Sequence, residues 1–189
     1  MATRKRPKER TGTPLDNRNF LSPTGFKFSL KRSPGAAFFC NQANIPSLDL
    51  GTATQPSYLK DIDVPGDKIQ FGDLNIRFLV DEDLVNYMEL QNWIRGLGFP
   101  ETLKEFDDLE SEAIGEMYAD GDNIYSDGTL QILSSNLIAK FNVNFKDLFP
   151  VSLSTISFDA TYTDIDYFTA EATFKYTIYK LTDLNNNPL

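Results

Sequence analysis

"YFTAEATFKYTIYKL", residues 167–181, decides how the chain folds, because its side chains alternate with a period of two. One side carries Phe168, Ala170, Ala172, Phe174, Tyr176 and Ile178. The other side carries Tyr167, Thr169, Glu171, Thr173, Lys175, Thr177 and Tyr179. Successive side chains of a strand point to opposite faces of a sheet, so this period predicts one long strand with a buried face and a polar face.

Other segments with the same period lie towards the start of the chain. "GFKFSLKRS" (25–33) and "AAFFCNQA" (36–43) are predicted to form a hairpin around Pro34 and Gly35. Residues 44–68 are rich in proline and predict an extended connection with at most short edge strands, ending in a turn at 65–67. "IQFGDLNIRFLV" (69–80) predicts a strand with a possible bulge at Gly72.

Two further strands are predicted at 128–135 and 137–150. In the second of them, Phe141, Val143 and Phe145 share one face. Lys140, Asn142, Asn144 and Lys146 share the other. Both faces of the sheet are therefore expected to continue from one strand to the next.

A single long helix is predicted within "VDEDLVNYMELQNWIRGLGFP" (80–100). Asp81 is a suitable N-cap, and glycine and proline end the segment. Leu84, Tyr87, Leu90, Ile94 and Leu97 recur every three or four residues and form one apolar stripe, with Trp93 beside it. A helix with one such stripe covers one face of a sheet.

Many strands and one helix predict a mainly β fold, an antiparallel sandwich or barrel with one flanking α-helix. Residues 1–18 form a basic arm, whose six basic and two acidic side chains give +4 and leave −13 on the remaining chain. Residues 19–189 are predicted to be a single domain with an acidic insertion at about 101–128, in which Lys104 is the only cation. An acidic body repels a nucleic acid backbone.

The composition excludes several kinds of chemistry. The chain has no histidine, the commonest general base, and its one cysteine, Cys40, cannot form an internal disulfide. The first residues resemble no signal peptide, and no apolar run is long enough to span a membrane, so a soluble protein made in a reducing cytoplasm is expected. No catalytic residue, cofactor site or metal site is predicted.

Two kinds of site are possible alternatives in the acidic insertion. "DGDNIYSDG" (120–128) contains the oxygen ligands that calcium prefers but departs from the EF-hand pattern at Ile124. It would fit a small acidic β-rich binding module that captures calcium or a basic partner. Asp107 and Asp108 could serve a carboxylate enzyme, although such pairs arise by chance in an acidic chain.

The order of these segments resembles the tail tube proteins of contractile-tailed bacteriophages and the related tube-initiator and baseplate ring proteins. The resemblance rests on "FLSPTGFKFSLKRSPGAAFFCNQANIPSL" and "DVPGDKIQFGDLNIRFLVDEDLVNYMELQNWI". It closes on "LFPVSLSTISFDATYTDIDYFTAEATFKYTIYKL" and covers most of residues 19–181. It implies a tail-tube fold that assembles into hexameric rings, which stack into a channel for the genome.

The resemblance also implies partners and surfaces. The partners are further copies of the chain, tail sheath and baseplate proteins, and DNA that passes without specific binding; no membrane is involved. The location is the virion tail, after synthesis in the host cytoplasm. From strand alternation, the side chains facing the lumen are expected to be Thr169, Glu171, Thr173, Lys175, Thr177, Asn142 and Asn144. The arm and the insertion offer subunit-interface candidates, namely Arg4, Lys5, Arg6, Asp107, Asp108 and Glu110.

Three roles agree with that resemblance, and the basic arm and the acidic insertion, which are longer than a minimal tube ring requires, suit a specialised ring more than the major tube subunit. The first is the major tube subunit. The second is a tube initiator, and the third is a terminating ring at the baseplate or neck. In each of them the protein acts by assembling and catalyses no reaction.

Overall fold

The computed structural model describes residues 21–98, 100–106, 124–159, 161 and 167–189, and these residues contain nine strands and two helices. The first six elements are β1 Phe26–Leu30, α1 Pro34–Phe38, β2 Cys40–Ala43, β3 Leu48–Gln55, β4 Ile62–Phe71 and β5 Leu74–Leu79. The others are α2 Val85–Gly98, β6 Ser126–Leu133, β7 Ala139–Leu153, β8 Thr169–Lys175 and β9 Ile178–Thr182.

Seven of these strands form one sheet in the order β1-β6-β7-β8-β5-β2, and β9 pairs with β7 beside this path. β3 and β4 form a separate two-stranded sheet. Every pairing of these strands is antiparallel. The predicted fold class is confirmed, with α1 as a second, short helix.

The core lies on one side of the seven-stranded sheet, under the two helices. Leu74, Ile76 and Phe78 of β5 alternate with exposed or half-buried residues, as predicted, and face Phe174, Ala172 and Ala170 of β8. Leu90 and Trp93 of α2 complete this core. The opposite side of the sheet carries polar side chains and has no helix among the described residues.

β7 is long because it belongs to both halves of the sheet. Its first part lies between β6 and β9, and its last part pairs with β8. Asp147 has a positive φ of 57° and adds a residue to the alternation, so that Phe145 and then Leu148 are buried. Such a bulge bends a strand and lets one sheet curve around its core.

The single strand predicted at 167–181 is two strands, β8 and β9, with a break opposite the bulge of β7. Thr177 lies in this break and donates its backbone N–H to the carbonyl of Lys146 at 3.0 Å. The predicted alternation holds for residues 170–175 and then shifts. After the break Tyr179 packs 5.9 Å from the ring of Phe145, while Ile178 is exposed.

The predicted hairpin at 25–43 is wrong. β1 pairs with β6 and β2 pairs with β5, and α1 connects them. Pro34 occupies the first turn of α1, where a missing N–H costs no hydrogen bond, so the pair Pro34–Gly35 begins a helix and does not make a turn. The carboxylate of Glu89 on α2 accepts hydrogen bonds from the backbone N–H groups of Gly35 and Ala36 and holds α1 in place.

The long helix begins at Val85, three residues later than the predicted N-cap at Asp81 implies. Residues 81–84 form a turn in which the N–H of Leu84 bonds to the carbonyl of Asp81 at 3.0 Å. Leu84 has a φ of 58° and is exposed, although the sequence placed it in the apolar stripe. Asn86 is buried instead, because its amide bonds to the backbone of Leu79 and Asp81.

The sequence predicted Trp93 beside the apolar stripe of α2. In the structure it lies at the centre of the buried face of this helix. Its ring centroid is 6.2 Å from that of Phe174, and its indole N–H donates to the carbonyl of Ile124 at 3.1 Å. Neither described helix is long and apolar enough to cross a bilayer.

Candidate assembly surfaces

The outer side of β5 and β8 is a polar face on which opposite charges are paired. Arg77 lies directly across from Glu171, and its Nε is 3.1 Å from the carboxylate. Lys175 lies 3.3 Å from Asp73. These pairs are substantially exposed and add little to stability, but they leave this half of the face without net charge.

The same face continues across β6, β7 and β9 as a ladder of uncharged side chains. The hydroxyl of Thr129 donates to the amide oxygen of Asn144 at 3.0 Å, and Asn144 donates to the hydroxyl of Thr182 at 3.0 Å. Gln131 donates to Asn142 at 3.2 Å. Four lysines with no ion pair among the described residues surround this ladder: Lys27, Lys140, Lys146 and Lys180.

The structure places the residues predicted to face a lumen as follows. Thr169, Glu171 and Lys175 lie exposed on the polar face of β8, and Thr173 is half-buried beside them. Asn142 is buried and Asn144 half-buried within the amide ladder, and Thr177 lies in the strand break. The interface candidates Arg4, Lys5, Arg6, Asp107, Asp108 and Glu110 lie outside the described residues, and so do residues 1–18 and most of the insertion.

The residues of β5 that contact the polar face of β8 were not predicted, although their positions in the sequence indicate them. Asn75 and Arg77 alternate with the apolar residues of "LNIRFL", which assigns them to the polar face. Asn75 accepts a hydrogen bond from the hydroxyl of Thr173 at 2.9 Å. The pairing of β5 with β8, which brings these side chains together, is not visible in the sequence.

β3 and β4 form a long ribbon that leaves the body of the protein, where the sequence predicted a connection with only short strands. The predicted turn at 65–67 is part of a bulge: two residue pairs, Leu50–Ile69 and Thr52–Pro65, enclose one residue on β3 but three on β4. A Cβ on Gly66 would lie 2.5 Å from the carbonyl oxygen of Gly51. Glycine is required there because the two backbones approach so closely.

One face of the ribbon carries an uncovered apolar stripe. The stripe starts at Phe71, whose ring contacts Tyr176 and Tyr179, and continues through Leu48, Leu50 and Ile69, which are each more than 50% exposed. A two-stranded ribbon is marginally stable alone in water, and contiguous exposed apolar surface marks an interaction site. The ribbon is therefore a candidate docking element.

A second apolar surface lies in the connection between β7 and β8. The rings of Phe158 and Phe168 pack against each other at 4.9 Å, and Phe158 is 76% exposed. Tyr167 beside them is also exposed. The molecule thus presents two different apolar surfaces, which suits contacts between unlike faces of neighbouring molecules.

The described residues contain no group of three or more Cys, Asp or Glu side chains arranged to hold a metal ion. Cys40 is half-buried on β2, and its Sγ donates to the carbonyl of Gln42 at 3.3 Å. Burial raises the pKa of this thiol to about 11. The thiolate needed by a nucleophile is therefore scarce at neutral pH.

We expect Cys40 to react slowly with thiol reagents in the folded protein. With a pKa of about 11, about one thiol in a thousand is ionised at pH 8, against about one in four for an ordinary cysteine. Ellman's reagent at pH 8 should therefore label the native protein at least roughly a hundredfold more slowly than the protein in guanidinium chloride. Equal rates in the two solvents would contradict the burial of this thiol.

Comparison with known proteins gives a family and a set of folds. The family model for phage tail tube protein matches residues 18–182. The sheath-tube complex of an extracellular contractile injection system in its extended state contains a chain with 17% identity, a TM-score of 0.52 and coverage of 87% of this chain and 92% of that one. No curated protein sequence matches.

Two chains from the anti-feeding prophage have the same fold. Its tube terminating cap is 14% identical, with a TM-score of 0.56 and coverage of 93% of this chain and 99% of that chain. A chain of its baseplate is 11% identical, with a TM-score of 0.55 and coverage of 92% and 98%. At these identities the likeness concerns the fold.

Proposed function

The chain belongs to the phage tail tube protein family and is a structural subunit of a tail tube, and on that premise we propose that its copies close into hexameric rings that stack into a channel for the genome. The family membership confirms the resemblance predicted from the motifs. Tail sheath and baseplate proteins are the further partners that this proposal implies. The protein would act in the virion tail after synthesis in the host cytoplasm, without catalysis or cofactor.

The observation that carries the proposal is the ribbon of β3 and β4. Its apolar stripe is continuous with the core through Phe71, yet Leu48, Leu50 and Ile69 face solvent in the isolated subunit. Covering this stripe removes apolar area from water and gives neighbouring copies a favourable contact. The ribbon and the aromatic surface of Phe158 and Phe168 are different surfaces. Each copy can therefore contact one neighbour through the first and another neighbour through the second, which is the geometry of rings and filaments.

The polar face of β5 and β8 suits the wall of the channel. Its two cations, Arg77 and Lys175, are each paired with a carboxylate, so the wall offers no free positive charge to DNA phosphates. The predicted lumen residues Thr169, Glu171, Thr173 and Lys175 share this face. Asn142 and Asn144 lie on the half that also bears the four lysines without an ion pair in the described part of the chain, so we assign the channel to the β5 and β8 half.

A ring at one end of the tube is the second candidate. The fold of the chain also occurs in a tube terminating cap and in a baseplate. A terminal ring stacks on one side only, whereas a tube subunit stacks on both. The purified protein therefore separates the two roles, because only a tube subunit polymerises without limit.

Electron microscopy of the purified protein over a range of concentrations tests the proposal. Six-fold rings with an open centre are expected, and tubes of stacked rings at higher concentration. Single rings or ring pairs at every concentration would favour the terminal ring. A protein that stays monomeric at all concentrations would overturn the proposal and favour a small binding module.

We expect the charge pairs of the channel wall to keep DNA mobile. Replacing Glu171→Gln and Asp73→Asn frees Arg77 and Lys175 in every subunit. Tubes of this variant should retain short duplex DNA at low salt, with log K falling by about 0.9 per engaged cation for each tenfold rise in salt. Co-sedimentation of labelled DNA with tubes measures this retention.

The control for this experiment removes the same charge elsewhere. Glu82→Gln with Asp83→Asn changes two exposed carboxylates before α2 that pair with no cation among the described residues. Tubes of the control should retain as little DNA as the wild type. Equal retention by both variants would show that β5 and β8 do not line the channel.

A further inference from the structure

The polar face of β1, β6, β7 and β9 carries an exposed set of lysines that we call the lysine frame: Lys27, Lys140, Lys146 and Lys180. Each of them lies opposite, or two residues from, a member of the amide ladder. Neighbouring strands lie about 4.8 Å apart, so Lys27 on β1 and Lys180 on β9 are separated by roughly 14 Å across the sheet. Lys140 and Lys146 are separated by roughly 20 Å along β7. The frame therefore surrounds a broad surface whose centre is the uncharged ladder.

The carboxylates around the lysine frame do not neutralise it. Asp127 lies 3.1 Å from Lys31, which is not part of the frame. Asp183 accepts backbone N–H groups of its own turn. Asp147 makes no ion pair with Lys146 beside it. The frame thus keeps its positive charge without a counter-charge in the described part of the chain.

The chain itself contains an acidic segment of suitable charge. Residues 107–123 lie outside the described residues, and they include seven carboxylates and no lysine or arginine. The seven are Asp107, Asp108, Glu110, Glu112, Glu116, Asp120 and Asp122. Such a segment is attracted to a cationic surface and repelled by the rest of an acidic body.

Both ends of the acidic segment start from the same part of α2. Before the segment, Glu105 bonds to Arg95 at 2.6 Å. After it, the carbonyl of Ile124 accepts the indole N–H of Trp93 at 3.1 Å. A segment of 17 residues that leaves and returns to one place extends at most about 28 Å from it.

The acidic segment joins the sheet close to the lysine frame. β6 begins at Ser126, and Gly128 pairs with Phe145, the neighbour of Lys146. Because the segment meets the sheet at the end of a strand, it can pass there from the side of α2 to the polar face. Lys146 lies at this end of the frame and Lys180 is the next lysine along, so both are within its reach.

We propose that residues 107–122 dock on the lysine frame of their own chain, with carboxylates against Lys146 and Lys180. The contact goes beyond the proposed function, because it lies within one chain and needs no second copy. Docking withdraws these cations from other polyanions. A nucleic acid then finds no basic patch on this face of the subunit.

A carbodiimide crosslinker tests the contact on the wild-type protein, because it joins a carboxylate to a lysine amine only where the two groups touch. Peptides of the acidic segment should be linked to Lys146 and Lys180 at low salt. In 1 M NaCl, where the Debye length is about 3 Å, the yield should fall roughly fivefold or more. Lys60 and Lys68 are the controls, since they are exposed near the ribbon and should not be linked to the segment.

Two patterns of crosslinks would overturn the proposal. In an equal mixture of nitrogen-15-labelled and unlabelled protein, links between labelled and unlabelled chains would place the segment on a neighbouring copy. Links to Lys5 or Lys8 in place of Lys146 and Lys180 would make the basic arm its partner.

Neutralising the acidic segment gives a second measurement. A variant with Asn or Gln at all seven acidic positions should leave Lys146 and Lys180 roughly threefold more reactive towards an acetylating reagent, relative to Lys60. Unchanged relative rates would overturn the proposal. If the variant does not fold, the crosslinks in the wild type decide.

DNA binding by the wild type tests the other occupant of the lysine frame. If wild-type protein retains duplex DNA at low salt, and Lys146→Gln with Lys180→Gln abolishes this retention, the frame is a nucleic-acid surface and the proposal is wrong. We expect no such retention. Because every one of these measurements can be made on single subunits, failure to form rings would contradict the proposed function and leave this inference unaffected.

Discussion

Exchanging the apolar stripe of the ribbon for a charge pair should leave a folded subunit that no longer assembles. Leu50 and Ile69 lie directly opposite each other on β3 and β4, so Leu50→Asp with Ile69→Lys replaces an apolar pair by a pair of opposite charges that still favours the ribbon. In an interface, each substitution would remove about 1 kcal/mol of favourable apolar burial. The two new charges would in addition have to be desolvated. Association at each contact should weaken by roughly a hundredfold or more.

Sedimentation velocity and electron microscopy measure this loss directly. The melting temperature of the subunit should change by only a few degrees, because both side chains are about half exposed in the free molecule. Gln70→Lys is the matched control: it faces Asp49 on the opposite side of the same ribbon and creates a similar charge pair. Tubes from the double variant, or the loss of tubes in the control as well, would remove the stripe from the interface.

The strands of the body were predictable where one face of the strand is buried and the other is exposed to solvent. β5, β8 and the first half of β7 show this alternation in the sequence, and each keeps it in the structure. The bulge at Asp147 and the strand break at Thr177 were not predictable, because both depend on how β7 is shared between two neighbours. A change of one residue there moves every later side chain to the other face.

The ribbon was missed for a different reason. Its residues are apolar, polar and small in no regular order on the outer half, since neither face is buried in the subunit. Proline and glycine at positions 65 and 66 are usual in turns, and only the partner strand reveals that they form a bulge. Elements that assembly stabilises carry a weak signal in the sequence of one subunit.

The helix shows how a single contact overrides a periodic pattern. The spacing of leucines favoured a face centred between Tyr87 and Ile94, but the largest buried side chain of the protein is Trp93. Its ring occupies the centre of the buried face of α2, so the other apolar residues lie to either side. The buried amide of Asn86 bonds to the end of β5 and fixes the start of the helix there. The helix therefore covers the sheet as predicted, on a face rotated from the one that its leucines indicate.

Truncating Trp93 should cause the largest loss of stability of any single change described. Trp93 is 1% exposed, packs on Phe174, donates to the carbonyl of Ile124 and has the guanidinium of Arg32 5.2 Å from its ring centroid. Trp93→Ala removes all of these contacts and leaves a large cavity, which costs about 3–5 kcal/mol. For a domain of this size the melting temperature should fall by roughly 6–20 °C.

The measurement must exclude stabilisation by assembly, since a tube favours the folded subunit by mass action. We therefore place Trp93→Ala in the Leu50→Asp, Ile69→Lys background, which is expected to be monomeric. Met88→Ala on the exposed side of the same helix is the control and should cost less than about 0.5 kcal/mol. Trp93→Phe separates volume from hydrogen bonding, because it keeps most of the ring but leaves the carbonyl of Ile124 without its donor. A loss for Trp93→Ala no larger than that for Met88→Ala would mean that α2 does not close the core, and the polar face could then no longer be distinguished from the covered one.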